Sequence, residues 1–190
     1  MVDKHNADPS SLSLTVTFNL TAHELQVHYC VRNKSARDIY LLNRLYKTIP
    51  SFTIDPNFIY IHLEKEKRTV HLVKRIPDIP AGKRVAAPVS PFVTPVRAKS
   101  EFSENVRILV PVREYRQYSA GAKGSGVEVT YQFVDLTLGY YWREEGTKEE
   151  LRRIGNFQVV LPHLPPGKRP IFGELRTKPQ RLPIKVLEMR

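Results

Sequence analysis

Two histidines, His62 and His71, are the first residues that suggest chemistry, because imidazole is a common zinc ligand and acid–base group. They lie in YIHLEKEKRTVHLVKR, residues 60–75, whose alternation of apolar and polar residues predicts a β-hairpin. A two-residue turn at Glu66 and Lys67 would pair His62 with His71. A metal site needs at least a third protein ligand, and no His or Cys at a ligand spacing lies nearby. We therefore interpret both histidines as paired hairpin positions and predict no metal and no other cofactor.

A second pair of reactive residue types, His28 and Cys30, lies on a predicted strand with one residue between them. Alternate residues of a strand share a face and lie roughly 7 Å apart, whereas an imidazole that activates a thiolate must approach within about 3 Å. We therefore interpret Cys30 as an ordinary packing residue.

The segment GAKGSG, residues 121–126, contains the glycines and the lysine of a phosphate-binding loop. It lacks the spacing of such a loop and does not connect a strand to a helix. Because it joins two strand-like segments, it predicts a hairpin loop. The sequence contains no nucleophile, metal or nucleotide motif, and it therefore predicts that the protein is not an enzyme.

The formal net charge of +11 is concentrated in two stretches of the chain. Residues 65–99 contain nine Lys and Arg against two Asp and Glu, and residues 167–190 contain seven against two. Clustered positive charge predicts an acidic partner. The candidate binding residues in the two stretches are Lys65, Lys67, Arg68, Lys74, Arg75, Lys83, Arg84, Lys168, Arg169, Arg176, Lys178 and Arg181.

The class of partner depends on what surrounds these cations. Single-stranded nucleic acid needs exposed aromatic rings on which bases stack, and the aromatic residues near the basic stretches are few: Tyr60, Phe92 and Phe172. The sequence therefore favours a non-enzymatic interaction or scaffold module that docks on an acidic protein through a basic rim of the hairpin and a C-terminal tail. A homo-oligomer is a second form of this interpretation, and a nucleic-acid-binding β domain is the alternative.

The composition is typical of an all-β protein. Fifteen prolines against nine glycines, without a long helical pattern, favour short strands joined by proline-containing loops. The single cysteine excludes an intramolecular disulfide, and the N-terminal segment lacks the pattern of a secretory signal, so we expect a cytoplasmic protein. No window approaches eighteen consecutive apolar residues, and we therefore expect no membrane span.

Strand-like alternation is clearest in HELQVHYCVRN, where the residues predicted to face the core are Leu25, Val27, Tyr29 and Val31. A second such set, in ENVRILVPVREY, is Val106, Ile108, Val110 and Val112. The longest predicted strand is GVEVTYQFVDLTLGYYW, residues 126–142, whose apolar phase changes near Asp135 and predicts a β-bulge there.

Two segments depart from strand-like alternation. The prolines between residues 77 and 95 predict a loop or a sheet edge, because proline cannot donate to a central ladder. Thr147 and Glu150 form a capping-box pattern that predicts a short helix in KEELRRI, residues 148–154.

Together these elements predict eight to ten strands and one short helix. The segment LQVHYCVRNKSARDIYLLN resembles the second and third strands of immunoglobulin-like domains, and this resemblance implies an immunoglobulin-like or related antiparallel β-sandwich. We predict a sandwich domain over residues 1–164, followed by an extended, basic, proline-rich tail over residues 165–190. The tail is expected either to dock on a partner or to pack back on its own domain.

Overall fold

The structure is a computed structural model that describes residues 11–47, 53–85, 89–118 and 125–189. The described ranges contain fifteen β-strands and no α-helix. In chain order the strands are β1 (Leu12–Leu20), β2 (Glu24–Asn33), β3 (Ile39–Arg44), β4 (Tyr46–Lys47), β5 (Thr53–Ile54), β6 (Tyr60–Glu64), β7 (Thr69–Lys74), β8 (Phe92–Val96), β9 (Ser100–Leu109), β10 (Val112–Arg113), β11 (Gly126–Trp142), β12 (Lys148–Ile154), β13 (Phe157–His163), β14 (Phe172–Arg176) and β15 (Gln180–Met189). The prediction of an all-β protein is confirmed.

The first layer is a three-stranded antiparallel sheet in the order β1-β2-β9. Its central strand alternates as the sequence predicts, because one face of β2 lies on the core and the other faces outward. The fully buried residues on its inner face are Leu25, Val27, Tyr29 and Val31.

The second layer is a larger sheet in the order β10-β15-β11-β3-β8-β13-β12. The long strand β11 organises it, with β15 and β14 on one side and β7 and β3 on the other. The predicted sandwich is mixed rather than purely antiparallel in this layer, because β7 runs parallel to β11 and β10 runs parallel to β15.

The segment 112–115 closes one end of the second sheet. Val112 and Arg113 pair with β15, and two residues later Tyr115 exchanges two backbone hydrogen bonds of 2.9 Å with Ile61 of β6. Because β6, β7, β11 and β15 are already consecutive neighbours, the sheet curls back on itself at this end.

The main hydrophobic core lies between the two layers. It combines inward side chains of β2 and β9 with those of β7, β11 and β15. Burial of this apolar surface is the main term that holds the two sheets together. Within the described residues, no helix is long and apolar enough to cross a membrane.

The helix predicted in KEELRRI is wrong, since this segment is strand β12 and pairs with β13 over seven residue pairs. Leu151, the leucine of this segment, is 63% exposed on β12. The hydroxyl of Thr147 is buried without a hydrogen-bond partner among the described residues, and the capping box is therefore not formed. Cross-strand pairing overrides the local helix signal.

The prediction of an extended C-terminal tail is also corrected, because β14 and β15 both pair antiparallel with β11. Ile184 and Val186 are buried in the core, which ties this segment to its own domain. Pro183 is accommodated at an irregularity of register, where Tyr131 pairs with Ile184 but Phe133 pairs with Arg181. Of the two outcomes that the sequence leaves open, packing back is the one observed.

The β-bulge predicted near Asp135 occurs three residues earlier, at Gln132. There the carbonyl of Arg68 accepts hydrogen bonds from the amides of both Gln132 and Phe133, at 2.8 and 3.2 Å. The proline-rich segment likewise ends in a strand, β8, which lies between β3 and β13 rather than at the sheet edge. Pro95 is tolerated because β13 pairs with β8 at Val93 alone.

Candidate functional site

The hairpin of β6 and β7 has the predicted register, with His62 opposite His71. The amide of Arg68 donates to the carbonyl of Lys65 at 3.3 Å, which places Glu66 and Lys67 at the centre of the turn. Residues 119–124, which include most of the GAKGSG segment, lie outside the described residues.

Three cations predicted to form a basic rim at the hairpin turn are held in ion pairs within the chain. Lys65 and Arg68 both reach Glu188 at the end of β15, at 3.4 and 3.2 Å, while Lys67 pairs with Glu64 at 2.7 Å. The hydroxyl of Tyr131 also donates to Glu188 at 2.8 Å, and this hydrogen bond, with the two cations, lowers the pKa of the Glu188 carboxyl. Lys65 and Arg68 therefore fasten the turn to β15, and Lys67 is paired within the hairpin.

Lys74 was predicted to project from the same rim, and this prediction is wrong. Its side chain is completely buried, and its ammonium donates to Glu104 and to the carbonyl of Pro56, each at 2.9 Å. The alternation of β7 explains the position, because Val70, Leu72 and Lys74 share the inward face. The alternation that places Lys74 on the inward face can be read from the sequence. The basic stretch was selected by counting charges, which ignores that alternation.

Glu104 of β9 is the centre of a polar cluster between the two layers. The hydroxyl of Tyr29 and the guanidinium of Arg44 both donate to its carboxylate, in addition to Lys74. Burial raises the pKa of Tyr29 and lowers the pKa of Lys74. Burial alone would also raise the pKa of Glu104, but Lys74 and Arg44 hold it below its usual range. The cluster compensates its buried charges within the protein.

Arg75 is likewise not a free rim cation. Its guanidinium makes hydrogen bonds to Asp78, one of them at 2.9 Å, and lies 3.3 Å from Glu174 of β14. The hydrogen bonds to Asp78 raise the pKa of Arg75 above its usual range. Arg75 lines a groove of about 360 Å³ together with Gly139 and Phe172. Lys83 reaches back to the carbonyl of Tyr118, and Arg84 is exposed.

Most of the described cations from the C-terminal stretch are exposed and lack the ion pairs that hold the hairpin cations. Four of them are exposed and make no ion pair among the described residues: Lys168, Arg169, Lys178 and Arg181. Arg176 is also exposed and lies 3.5 Å from Glu174. The structure thus separates the predicted binding residues into a hairpin group that is paired within the chain and a C-terminal group that is open.

Part of this open group lies along an unpaired sheet edge. Within the described residues, β14 forms ladder hydrogen bonds with β11 alone, and β15 is covered on its outer side only where β10 pairs with Val186 and Leu187. We call residues 172–185 the basic edge. Lys178 and Arg181 lie on it, and the exposed apolar residues Ile171 and Phe172 mark its start.

His71 is held between two carboxylates. Its Nδ1 lies 2.9 Å from both oxygens of the buried Asp135 on β11, and its Nε2 lies 3.1 Å from Glu64. The hydrogen bond with Asp135 raises the pKa of His71, whereas burial, with the nearby Arg116, lowers the pKa of His62. The two paired imidazoles therefore have opposite preferences for the proton.

This contrast predicts how stability depends on pH. Because the folded-state pKa of His71 is raised above 6.5, its stabilisation is complete below pH 6.5 and is lost as the pH rises through the folded value. His62 has a lowered pKa, so its contribution is lost as the pH falls below 6.5. Urea unfolding should be measured across the neutral pH range. In His71→Gln the free energy of unfolding should no longer fall as the pH rises, and in His62→Gln it should no longer fall as the pH drops below 6.5. An unchanged pH profile in His71→Gln would contradict the assignment.

His28 and Cys30 each have a different neighbour on β9. Nδ1 of His28 lies 2.9 Å from the side-chain oxygen of Asn105 on the neighbouring strand β9, and Cys30 pairs in the ladder with Ser103. In the described part of the chain, no group of three His, Cys, Asp or Glu residues has the arrangement of a metal site. A comparison with known protein families, curated proteins and solved structures gives no match to this chain.

Proposed function

We propose that the protein is a non-enzymatic interaction or scaffold module of the cytoplasm that binds an acidic partner protein along the basic edge. The observation that supports this most is an open strand edge on β14 and β15 beside two cations without ion pairs in the described part of the chain, Lys178 between the two strands and Arg181 on β15. An exposed strand edge offers hydrogen bonds to an added strand, and Lys178 and Arg181 supply the charge that selects acidic segments. The hairpin cations contribute less to this surface, because Lys65 and Arg68 share the carboxylate of Glu188 and Lys67 pairs with Glu64.

The immunoglobulin-like relationship belongs to the same proposal. Its support is local: β2 ends at Asn33, whose side-chain amide donates to the carbonyl of Arg37 at 2.7 Å while its oxygen accepts from the amide of Ser35 at 3.0 Å. Such a turn joins the second and third strands in the way that the sequence resemblance implies. Sandwiches of this kind have many different binding functions, so the fold does not identify the function. The functional proposal therefore depends on the basic edge and its charges.

Nucleic-acid binding is the alternative that the same cations allow. Tyr60 is buried, and among the described residues close to the basic edge Phe172 is 53% exposed and Phe133 is 37% exposed. A surface that binds single strands usually stacks several bases on successive aromatic rings. The basic edge fits an acidic protein segment better for this reason.

Charge reversal at the basic edge tests the proposal. The double variant Lys178→Glu/Arg181→Glu should weaken binding of a fluorescein-labelled glutamate octapeptide by roughly tenfold, since two exposed charge contacts of up to about 1 kcal/mol each are lost. Fluorescence anisotropy at low and at physiological salt would measure the change. The matched control is Lys65→Glu/Lys67→Glu on the hairpin, where the same change in net charge should have a much smaller effect.

Two results would contradict the proposal. Equal weakening by the edge and hairpin variants would mean that the peptide senses only net charge. Tighter binding of a single-stranded oligonucleotide than of the peptide, with affinity falling linearly on a log–log salt plot, would favour the nucleic-acid alternative.

A further inference from the structure

A second groove lies on the far side of β10 from the basic edge, and sequence analysis did not identify it. It has a volume of about 720 Å³ and lies between the end of β9, the loop at residues 55–59 and Tyr115. We call it the Tyr115 groove. Grooves of this size accommodate a drug-sized ligand or a few residues of a peptide.

The walls of the Tyr115 groove are apolar and aromatic. Tyr115 is 41% exposed and packs edge-on against Phe58, with ring centroids 5.1 Å apart, while Tyr60 stacks parallel to it at 6.2 Å. Leu109 at the end of β9 is 80% exposed, the most exposed large apolar side chain among the described residues. Leu109 lines the same groove as Val110 and Tyr115, and a contiguous apolar patch rimmed by polar residues marks an interaction site.

The charges of the groove are mainly positive. Arg107 and Arg113 both line it and are exposed, and neither makes an ion pair among the described residues. Lys47 lies 3.8 Å from Asp55, the single acidic residue of the lining, and 4.9 Å from the ring centre of Phe58. The groove therefore keeps two uncompensated guanidinium groups, which are suited to bidentate contacts with carboxylates.

The groove also borders an open strand edge. Within the described residues β9 forms a ladder with β2 alone. The amide of Val110 points toward β2 and donates to His23 at 2.9 Å, whereas the amide of Arg107 points the other way and donates to the side chain of Asn57 at 2.9 Å. Because amides alternate in direction along a strand, the amide of Leu109 also points away from β2, toward the groove.

We propose that the Tyr115 groove binds an extended segment of a partner protein in which large apolar side chains are flanked by carboxylates. The segment adds to the edge of β9, its apolar side chains contact Leu109 and Tyr115, and its carboxylates bind Arg107 and Arg113. This inference rests on the proposed function and identifies the sequence type that the acidic partner presents. The outward amide of Leu109 lies beside the groove, which favours a peptide strand over a small molecule.

Two labelled octapeptides test this inference, one with two central leucines flanked by glutamates and one of glutamate alone. The intact protein should bind the leucine peptide at least roughly tenfold more tightly, as expected for burial of one leucine side chain. Leu109→Asp and Arg113→Glu should each remove this preference. Leu151→Asp is the matched control, because this leucine is also exposed but lies on β12, and it should retain the preference.

The backbone contact has its own readout. Hydrogen exchange of the Leu109 amide should slow when the leucine peptide is bound and not when the glutamate peptide is bound, because only the former adds to β9. This measurement uses the unmodified chain and does not depend on how any variant folds.

The two proposals fail in different ways. If neither peptide binds, the proposed function and this inference are both wrong. If both peptides bind equally, or if the preference survives Leu109→Asp, the basic edge remains a binding surface and the groove is not. A dimer of this chain that Leu109→Asp dissociates, or an oligonucleotide that protects the Leu109 amide, would also overturn the inference in favour of a different occupant.

Discussion

Replacing Glu104 with alanine is expected to lower the free energy of unfolding by about 3–5 kcal/mol, the cost typical of removing one partner from a buried ion pair. The ammonium of Lys74 has no exposed surface and has two acceptors, the carboxylate of Glu104 and the carbonyl of Pro56, each at 2.9 Å. Without Glu104 it keeps one acceptor and loses its counter-charge. Urea unfolding followed by circular dichroism would measure the change.

Two variants make this prediction specific. Glu101→Ala lies on the same strand and breaks the ion pair with Arg32, but both side chains there are more than half exposed, so the cost should be at most about 1 kcal/mol. The double variant Lys74→Met/Glu104→Leu should recover part of the lost stability, because it removes both charges of the buried pair but leaves the Tyr29 hydroxyl and Arg44 without their acceptor. A cost for Glu104→Ala no larger than that for Glu101→Ala would contradict a structural role of the buried pair.

The features of the fold that the sequence predicts are those that depend on local alternation. The buried face of β2 and the pairing of His62 with His71 follow from a period of two and a short turn, and the structure confirms both. The same alternation already assigned Lys74 to the inward face of β7. Its burial was missed because the charge of lysine was given more weight than its inward position in the alternation. A buried lysine is possible when a carboxylate forms an ion pair with it.

The errors of prediction come from pairings between distant segments. KEELRRI has a local helix signal, but the strand 157–163 is available to pair with it. The C-terminal stretch has the prolines and charges of a tail, but β11 is long enough to hold both β14 and β15 along one side. Neither partner can be identified from the segment itself.

The candidate site shows the same limit. Sequence analysis selects the cations by their clustering along the chain and does not show which of them are free. Arg68 and Glu188 lie 120 positions apart, and the parallel pairing of β7 with β11 brings the hairpin turn to the end of β15. Arg107 and Arg113 were not selected, because they lie outside the two basic stretches and become significant only beside Leu109 and Tyr115.

Gly139→Ala is the second substitution with a large expected effect, a loss of about 1–3 kcal/mol through overpacking. Gly139 lies on β11 where Arg75 crosses it after the end of β7. A Cβ atom at this position would lie 2.6 Å from the Cβ and 3.1 Å from the Cα of Arg75, and 3.1 Å from a methyl group of Leu42. Since two of these atoms belong to or adjoin the backbone, the clash cannot be relieved by rotating a side chain. Thermal and urea unfolding would measure the loss.

A double-mutant cycle identifies the clash as the cause. Arg75→Gly removes the Cβ atom that would be met at 2.6 Å, so its effect should be strongly coupled to Gly139→Ala, and the double variant should be more stable than the sum of the single losses indicates. Arg75→Ala removes the same ion pairs with Asp78 and Glu174 but keeps the Cβ atom, and it should combine additively with Gly139→Ala. If both cycles showed the same coupling, the lost stability would come from the ion pairs of Arg75 and not from the clash with its Cβ atom. The distinction matters for function, because the ion pairs with Asp78 and Glu174 are what remove Arg75 from the cations available to a partner.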